Sequence, residues 1–269
     1  MTIDELINNA GIHRTDAELL IAHALGKPRS FLIAHNNEEM DVALLEVIRT
    51  KIERRRNGEP LAYITGSKEF YGRDFLVTKD TLVPRPATEA LIRDTLQFLR
   101  GATPATHDID TGISSYCRRF QDTTVEAVLD IGTGSGCIAI TLSSEGVTFP
   151  IVAVDTSSAA IGVAIDNAKT LGAPNVQFTR GDGISVVRNF HRPFLVVSNP
   201  PYIPEGTELE KTVRDFEPHS ALFAGPDGLS IIKPLLIAAQ GNKNCVGVVM
   251  EMRAEQTKAS DEICDMLSA

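Results

Sequence analysis

The stretch VLDIGTGSGCIAI, residues 128–140, sets the reading of the whole chain. An apolar, β-branched run reaches Asp130 and Ile131, breaks into glycines spaced GxGxG (Gly132, Gly134, Gly136), and resumes as an apolar segment of helical character from Cys137. Glycine reaches positive φ without steric cost and lets a ligand approach the backbone closely. A strand, a glycine bend and a helix in this order therefore mark a site for a nucleoside-containing cofactor, contributed by Gly132, Thr133, Gly134, Ser135 and Gly136. Gly134, Gly136 and Ala139 also satisfy the dinucleotide spacing GxGxxG/A, so the loop alone leaves a nicotinamide cofactor open.

Outward from the loop, strands at 126–132, 150–155, 175–182, 193–201 and 245–252 alternate with helices at 137–146, 157–172 and 228–241. Apolar strands separated by helices predict a parallel sheet covered on both faces, with ligands held beyond the carboxyl ends of its strands. Asp155 ends the second strand about twenty residues past the glycine loop, where a carboxylate accepts from ribose hydroxyls. Asp182, followed by Gly183, ends the third and is placed to meet an adenine amino group. Either aspartate alone would also fit a helix N-cap or a turn.

The fourth strand ends in Asn199, Pro200, Pro201 and Tyr202. Prolines cannot donate to a ladder, so pairing stops there and the carbonyls of Asn199 and Pro200 are free to accept from something else. With the side-chain oxygen of Asn199 they form a set suited to the two hydrogens of a planar NH2 group, over which Tyr202 can stack. An oxidoreductase would leave these four residues without a task.

Residues 1–58 read as a helical bundle, because 16–25 and 41–56 carry apolar residues at spacings of three and four (Val42, Leu45, Ile48, Ile52). Lys51, Arg54, Arg55 and Arg56 cluster at the end of the second segment and read as a solvated, dipole-compensating group rather than a contact to an acidic partner. Residues 59–84 are read as a hairpin linker, 86–100 as a helix with Pro86 in its first turn, and 101–124, which lack periodicity, as a flexible loop.

The formal charge of −9 counts against a protein that coats nucleic acid, and no apolar run approaches a membrane span. Neither a secretory leader nor a CxxC pair is present, so a cytoplasmic protein without a metal site is expected. His191, His219 and Cys137 are read as structural.

Taken together, EPLAYITGSKEFYGRDFLV (59–77), LVPRPATEALI (82–92), VLDIGTGSGCIAI, VSNPPYIP (197–204) and VRDFEPHSALFAGPDGL (213–229) resemble the release-factor glutamine N5-methyltransferases, the HemK/PrmC family. The resemblance covers most of the chain, and it is more specific than the tetrapeptide, which DNA adenine methyltransferases share. It implies an α/β fold: a Rossmann-like methyltransferase domain (85–269) dependent on S-adenosyl-L-methionine (AdoMet), joined by a β-hairpin to a small N-terminal helical docking domain. It further implies that the glycine loop and Asp155 hold AdoMet, with Asn199 nearby, and that Arg85, Pro86, Thr88 and Glu89 line the cofactor pocket. Asn199 to Tyr202 would hold the glutamine of the GGQ loop of class I peptide release factors, the protein partner. Another glutamine-bearing protein, a nucleic-acid amine, or AdoMet binding without catalysis are the competing functions.

Two departures from the family pattern stand out. Gly183 replaces a frequent aromatic, and the chain ends soon after the helix that should follow the fifth strand, where the family continues into a further strand pair. Strand 245–252 is therefore expected to leave an unprotected sheet edge.

Overall fold

The computed structural model describes residues 1–110 and 112–268. Two compact units emerge: Met1–Ser67 with Leu209–Phe216, and Lys68–Glu208 with Glu217–Ala269.

In the first unit, α1 (Ile3–Asn8), α2 (Arg14–Leu25), α3 (Arg29–Ala34), α4 (Val42–Arg56) and α5 (Leu61–Thr65) are too short to bury an apolar stripe alone. They share one core built on Leu6, Leu20, Ile21, Leu32, Leu45, Ile48, Ile52 and Ile64. Asp41 caps α4 by accepting from the backbone N–H groups of Ala43 and Leu44. Val42, expected on the apolar face, is 77% exposed at the first helical position, and the stripe is buried only from Leu45 onward. The basic cluster is spent inside the unit: Arg54 pairs with Glu59, Arg55 with Asp16 and Arg56 with Glu53, while Lys51 donates to the Ile64 carbonyl.

The predicted linker is only partly a hairpin, since α5 precedes β1 (Ser67–Phe70) and β2 (Arg73–Leu76). The second unit continues through α6 (Thr88–Leu99), β3 (His107–Asp110), β4 (Ile113–Arg119), β5 (Ala127–Ile131), α7 (Cys137–Ser144), β6 (Ile151–Asp155), α8 (Ser158–Leu171), β7 (Val176–Arg180), α9 (Gly183–Arg188) and β8 (Phe194–Ser198). Next comes α10 (Lys211–Phe216), which clusters with the first unit; α11 (Ile232–Gly241), β9 (Cys245–Arg253) and α12 (Ala254–Ser268) complete the second.

Seven strands form one sheet in the order β3-β4-β9-β8-β5-β6-β7. From β9 to β7 every pair is parallel, as the alternation of strands and helices requires. Alternate side chains enter opposite cores: Leu195 and Val197 of β8 face one side with α6, α7 and α8, while Phe194 and Val196 face the other with α9, α11 and α12. The chain leaves β5 toward β6 and returns to the other side at β8, so their carboxyl ends make the topological switch point of a Rossmann-like sheet.

The segment read as a flexible loop, 101–124, instead supplies β3 and β4; its Thr111 lies outside the described residues. β4 runs antiparallel to β9 from Ile113 opposite Arg253 to Arg119 opposite Gly247. The expected bare edge is thus filled, and the sheet is mixed rather than wholly parallel. ISSYCRR carries little strand propensity, and it is the open ladder of β9, together with burial of Ser114, Ser115 and Tyr116, that makes it a strand. Among the described residues no helix is long and apolar enough to cross a membrane.

Candidate functional site

An open cavity of about 240 Å³ lies at the carboxyl ends of β5, β6, β7 and β8, within the second unit. It gathers Gly132 to Ser135, Asp155, Asp182, Gly183, Asn199 and Pro201, and adds Arg85 from the segment leading into α6 and Thr88 from its first position.

Gly132, Gly134 and Gly136 all take positive φ (76°, 56° and 81°). At Gly132 and Gly134 a Cβ would meet nothing, so the backbone conformation demands glycine there, whereas at Gly136 it would also lie 2.9 Å from Ile140 Cδ1 and 3.1 Å from Ala164 Cβ. The loop is tied down by Gly132 and Thr133 N–H donating to the Val154 carbonyl, and by Gly134 N–H donating to Asp155 Oδ2 at 2.9 Å. Asp155 Oδ1 accepts from Ser157 N–H, also at 2.9 Å. Each carboxylate oxygen keeps a lone pair for an outside donor, which suits a ribose diol.

Beneath the loop, Asp130 is completely buried, and burial pushes its carboxyl up to about 7. Its Oδ2 accepts from Thr133 Oγ1 (2.6 Å) and Ala139 N–H (3.2 Å), while Oδ1 has no partner among the described residues. Cys137 also lines the cavity, with burial holding its thiol up near 12, so it stays protonated. His191 and His219 do not line it.

Asp182 caps α9, accepting from Ile184 N–H and from both the N–H and Oγ of Ser185, and these hydrogen bonds hold its carboxyl below the usual range. It lies at the cavity with the cap in place. Gly183 explains itself sterically, since a Cβ there would collide with Ile131 Cγ2 beside the glycine loop.

At the end of β8 the ladder stops as the prolines require. No donor among the described residues reaches the backbone oxygens of Asn199 or Pro200, or Asn199 Oδ1. Asn199 Nδ2 donates to Thr88 Oγ1 at 3.1 Å, and Thr88 Oγ1 donates to Glu251 Oε2 at 2.8 Å. From the other side the Tyr202 hydroxyl donates to Glu251 Oε1 at 2.9 Å. Pro200 and Tyr202 lie next to the cavity in sequence without lining it; Asn199 and Pro201 carry the wall.

The Arg85 guanidinium pairs with Glu217, a buried carboxylate that also accepts from Val83 N–H and so joins the segment before α6 to the one after α10. Pro86 and Glu89, expected at the pocket, do not line it; Glu89 instead accepts from Tyr71 N–H at the hairpin turn, where Tyr71 is held at φ 52°.

Sequence reading missed Ser198, Asn167 and Gln256. Ser198 Oγ donates to the Ile131 carbonyl at 2.6 Å and locks β8 to β5 at the switch point. Gln256 Nε2 donates to the Tyr202 carbonyl at 2.9 Å. Asn167, buried in α8, donates to the carbonyls of Ser135 and Leu76 and accepts from Leu76 N–H, tying β2 to the glycine loop. Asn167→Ala leaves the buried Ser135 carbonyl and the part-buried N–H and carbonyl of Leu76 without this partner, and an unsatisfied buried group costs roughly 1–3 kcal/mol. Denaturant unfolding should show a loss of about 3 kcal/mol; an unchanged midpoint would mean that the loop is anchored elsewhere.

Comparison with known proteins agrees with this layout. The PrmC N-terminal domain model matches residues 4–66, and the methyltransferase small domain model matches residues 102–228. A Koribacter versatilis protein named release factor glutamine methyltransferase is 39% identical over 224 residues, 82% of this chain and 72% of its own length. Proteins of the same name from Nitratidesulfovibrio vulgaris and Bacillus subtilis are 41% and 35% identical, covering 80% and 96% of this chain and 67% and 84% of their own. With identity of this level running across both units, the chain belongs to the release factor glutamine methyltransferase family.

Proposed function

We propose that the chain methylates the side-chain amide nitrogen of the GGQ-loop glutamine in class I peptide release factors, using AdoMet, and acts in the cytoplasm in translation termination. The observation that carries this reading is the presence, in one cavity, of a glycine loop with a ribose-ready carboxylate and of Asn199 from the neighbouring strand end, whose Oδ1 is unengaged and is followed in sequence by the equally unengaged Pro200 carbonyl. AdoMet fits the donor set: positive-φ glycines leave room at the backbone, Asp155 keeps free lone pairs, and Ile131 and Ile184 supply apolar wall.

When bound, AdoMet supplies a methyl group on a sulfonium, which is already an activated leaving group. The chain's own contribution is orientation and charge. Asn199 Oδ1 and the Pro200 carbonyl accept from the two amide hydrogens, fix the nitrogen in line with the methyl carbon, and stabilise the positive charge that grows on nitrogen. AdoMet, held by the glycine loop and Asp155, would supply the methyl while the S–C bonding pair stays on sulfur, and the amide nitrogen would give up one proton to solvent. The N-methylated, protonated amide is strongly acidic, so no general base is needed.

Residues 1–58 are assigned to docking of the release factor, 59–84 to the linker and 85–269 to transfer. A substrate loop carried on a large protein needs a contact besides the catalytic clamp. Incubation with AdoMet and a class I release factor should add a single methyl, located by mass spectrometry on the GGQ glutamine. Transfer to another glutamine-bearing protein or to DNA, with none on the release factor, would overturn the substrate assignment.

A further inference from the structure

We propose that Glu251 is a positioning residue that sets which face of the Asn199 amide is presented to the substrate. The inference rests on the reading above, in which Asn199 receives a glutamine NH2.

Glu251 sits in β9, two strands from the glycine loop, and is only 1% exposed. Its two oxygens receive one hydroxyl each, Oε2 from Thr88 and Oε1 from Tyr202. A hydroxyl has one hydrogen. Once that of Thr88 is committed to Glu251, Thr88 Oγ1 can only accept, and the group it accepts from is Asn199 Nδ2. The side-chain amide of Asn199 is therefore turned with NH2 toward Thr88 and its oxygen left over for an outside donor. Reversed, Asn199 would offer hydrogens to hydrogens and could not hold an amide NH2. One buried carboxylate thus sets a single donor direction through Thr88 to Asn199, and by the same bond pins the ring of Tyr202. The network is fully paired at Glu251, which is the condition under which a buried polar group specifies one arrangement. The ionised carboxylate is the form both donors satisfy; burial raises the pKa of Glu251 on balance, against the pull of the hydrogen bonds from Thr88 and Tyr202, the charge of Arg85 and the nearby Asn199 amide.

Glu251→Gln keeps the shape and puts an NH2 where one hydroxyl must donate, so either Thr88 or Tyr202 has to reverse. Thr88→Val removes the relay with little change of volume, and Thr88→Ser retains it. Expected are a fall in kcat of about 10²-fold or more for Glu251→Gln and for Thr88→Val, of the order seen when an oriented transition-state contact is lost, with AdoMet affinity within about threefold of wild type. Thr88→Ser, which keeps the relay hydroxyl, should turn over well above Thr88→Val, and the double variant Glu251→Gln/Thr88→Val should be no slower than the slower single one.

A readout that needs no substrate accompanies the kinetics: the two Asn199 side-chain amide proton signals, assigned by their loss in Asn199→Asp. These should shift in Glu251→Gln and stay near their wild-type positions in Thr88→Ser. Wild-type kcat in Glu251→Gln, or unmoved Asn199 amide signals, would overturn the proposal. Failure of the wild-type enzyme to methylate the release factor would instead strike the substrate assignment and leave the amide signals to decide this one.

Discussion

Asn199→Ala should abolish detectable glutamine methylation, lowering kcat by about 10³-fold, while AdoMet still binds within a few-fold of its wild-type affinity. Removal of one preorganised group at the reacting centre costs about 10²–10³ in kcat. Asn199 is more than one such group, because it lines the cavity with its Oδ1 unengaged, and its Nδ2 links that wall to Thr88 and, through it, to Glu251. Truncation removes the side-chain acceptor and frees Thr88 from the bond that holds it. The cofactor wall loses little, since the glycine loop is held by Val154 and Asp155, and Asp155 by Ser157. Calorimetric titration with AdoMet beside single-turnover methylation separates the two effects. Equal loss of binding and transfer would place Asn199 in the cofactor site rather than in a substrate clamp.

The alternation from residue 126 onward was legible because most of its strands and helices end in a glycine, an aspartate or a proline with a local reason to be there. Gly132, Asp155, Asp182 and Asn199 therefore meet in one cavity, as expected of strand ends in a parallel sheet. What stayed hidden were partners joined only by tertiary contact. Nothing near ISSYCRR announces a strand; the signal lay far along the chain at Gly247, inside β9, where a Cβ would collide with the Arg118 carbonyl of β4 and lie 2.5 Å from Phe98 Cζ. A glycine within a strand often marks such an approach of another backbone. Glu251 could have been noticed in the same way, as the one acidic residue in the apolar run CVGVVMEM, since a charge in a buried strand needs partners. The identity of those partners, Thr88 and Tyr202, depends on α6 and the end of β8 converging on β9, which no local pattern states.

Gly228→Ala is expected to destabilise the protein by about 2–5 kcal/mol. The same backbone contact implies that the Asn199–Tyr202 segment shifts with it. Gly228 has φ +74°, where an L side chain costs roughly 1–2 kcal/mol. An added Cβ would also collide with the Tyr202 carbonyl oxygen and sit 2.5 Å from Gln256 Nε2, the group that donates to that carbonyl. Because Tyr202 O is backbone and Gln256 is buried and bonded at both ends of its amide, neither can swing away cheaply, and overpacking of this kind adds about 1–3 kcal/mol. Gly172→Ala is the control: φ is +74° there too, but a Cβ would meet nothing within 4 Å, so only the backbone term of about 1–2 kcal/mol applies. Thermal unfolding of the two variants side by side should show the larger drop in Tm for Gly228→Ala, by roughly 2–12 °C beyond that of Gly172→Ala, at about 2–4 °C per kcal/mol for a protein of this size. Residual activity in Gly228→Ala should also fall at temperatures where the variant is still folded, because displacement of Tyr202 disturbs the donor to Glu251. Equal melting of the two variants would mean that the 225–229 turn is not packed against Tyr202, and normal turnover in a folded Gly228→Ala would separate that packing from catalysis.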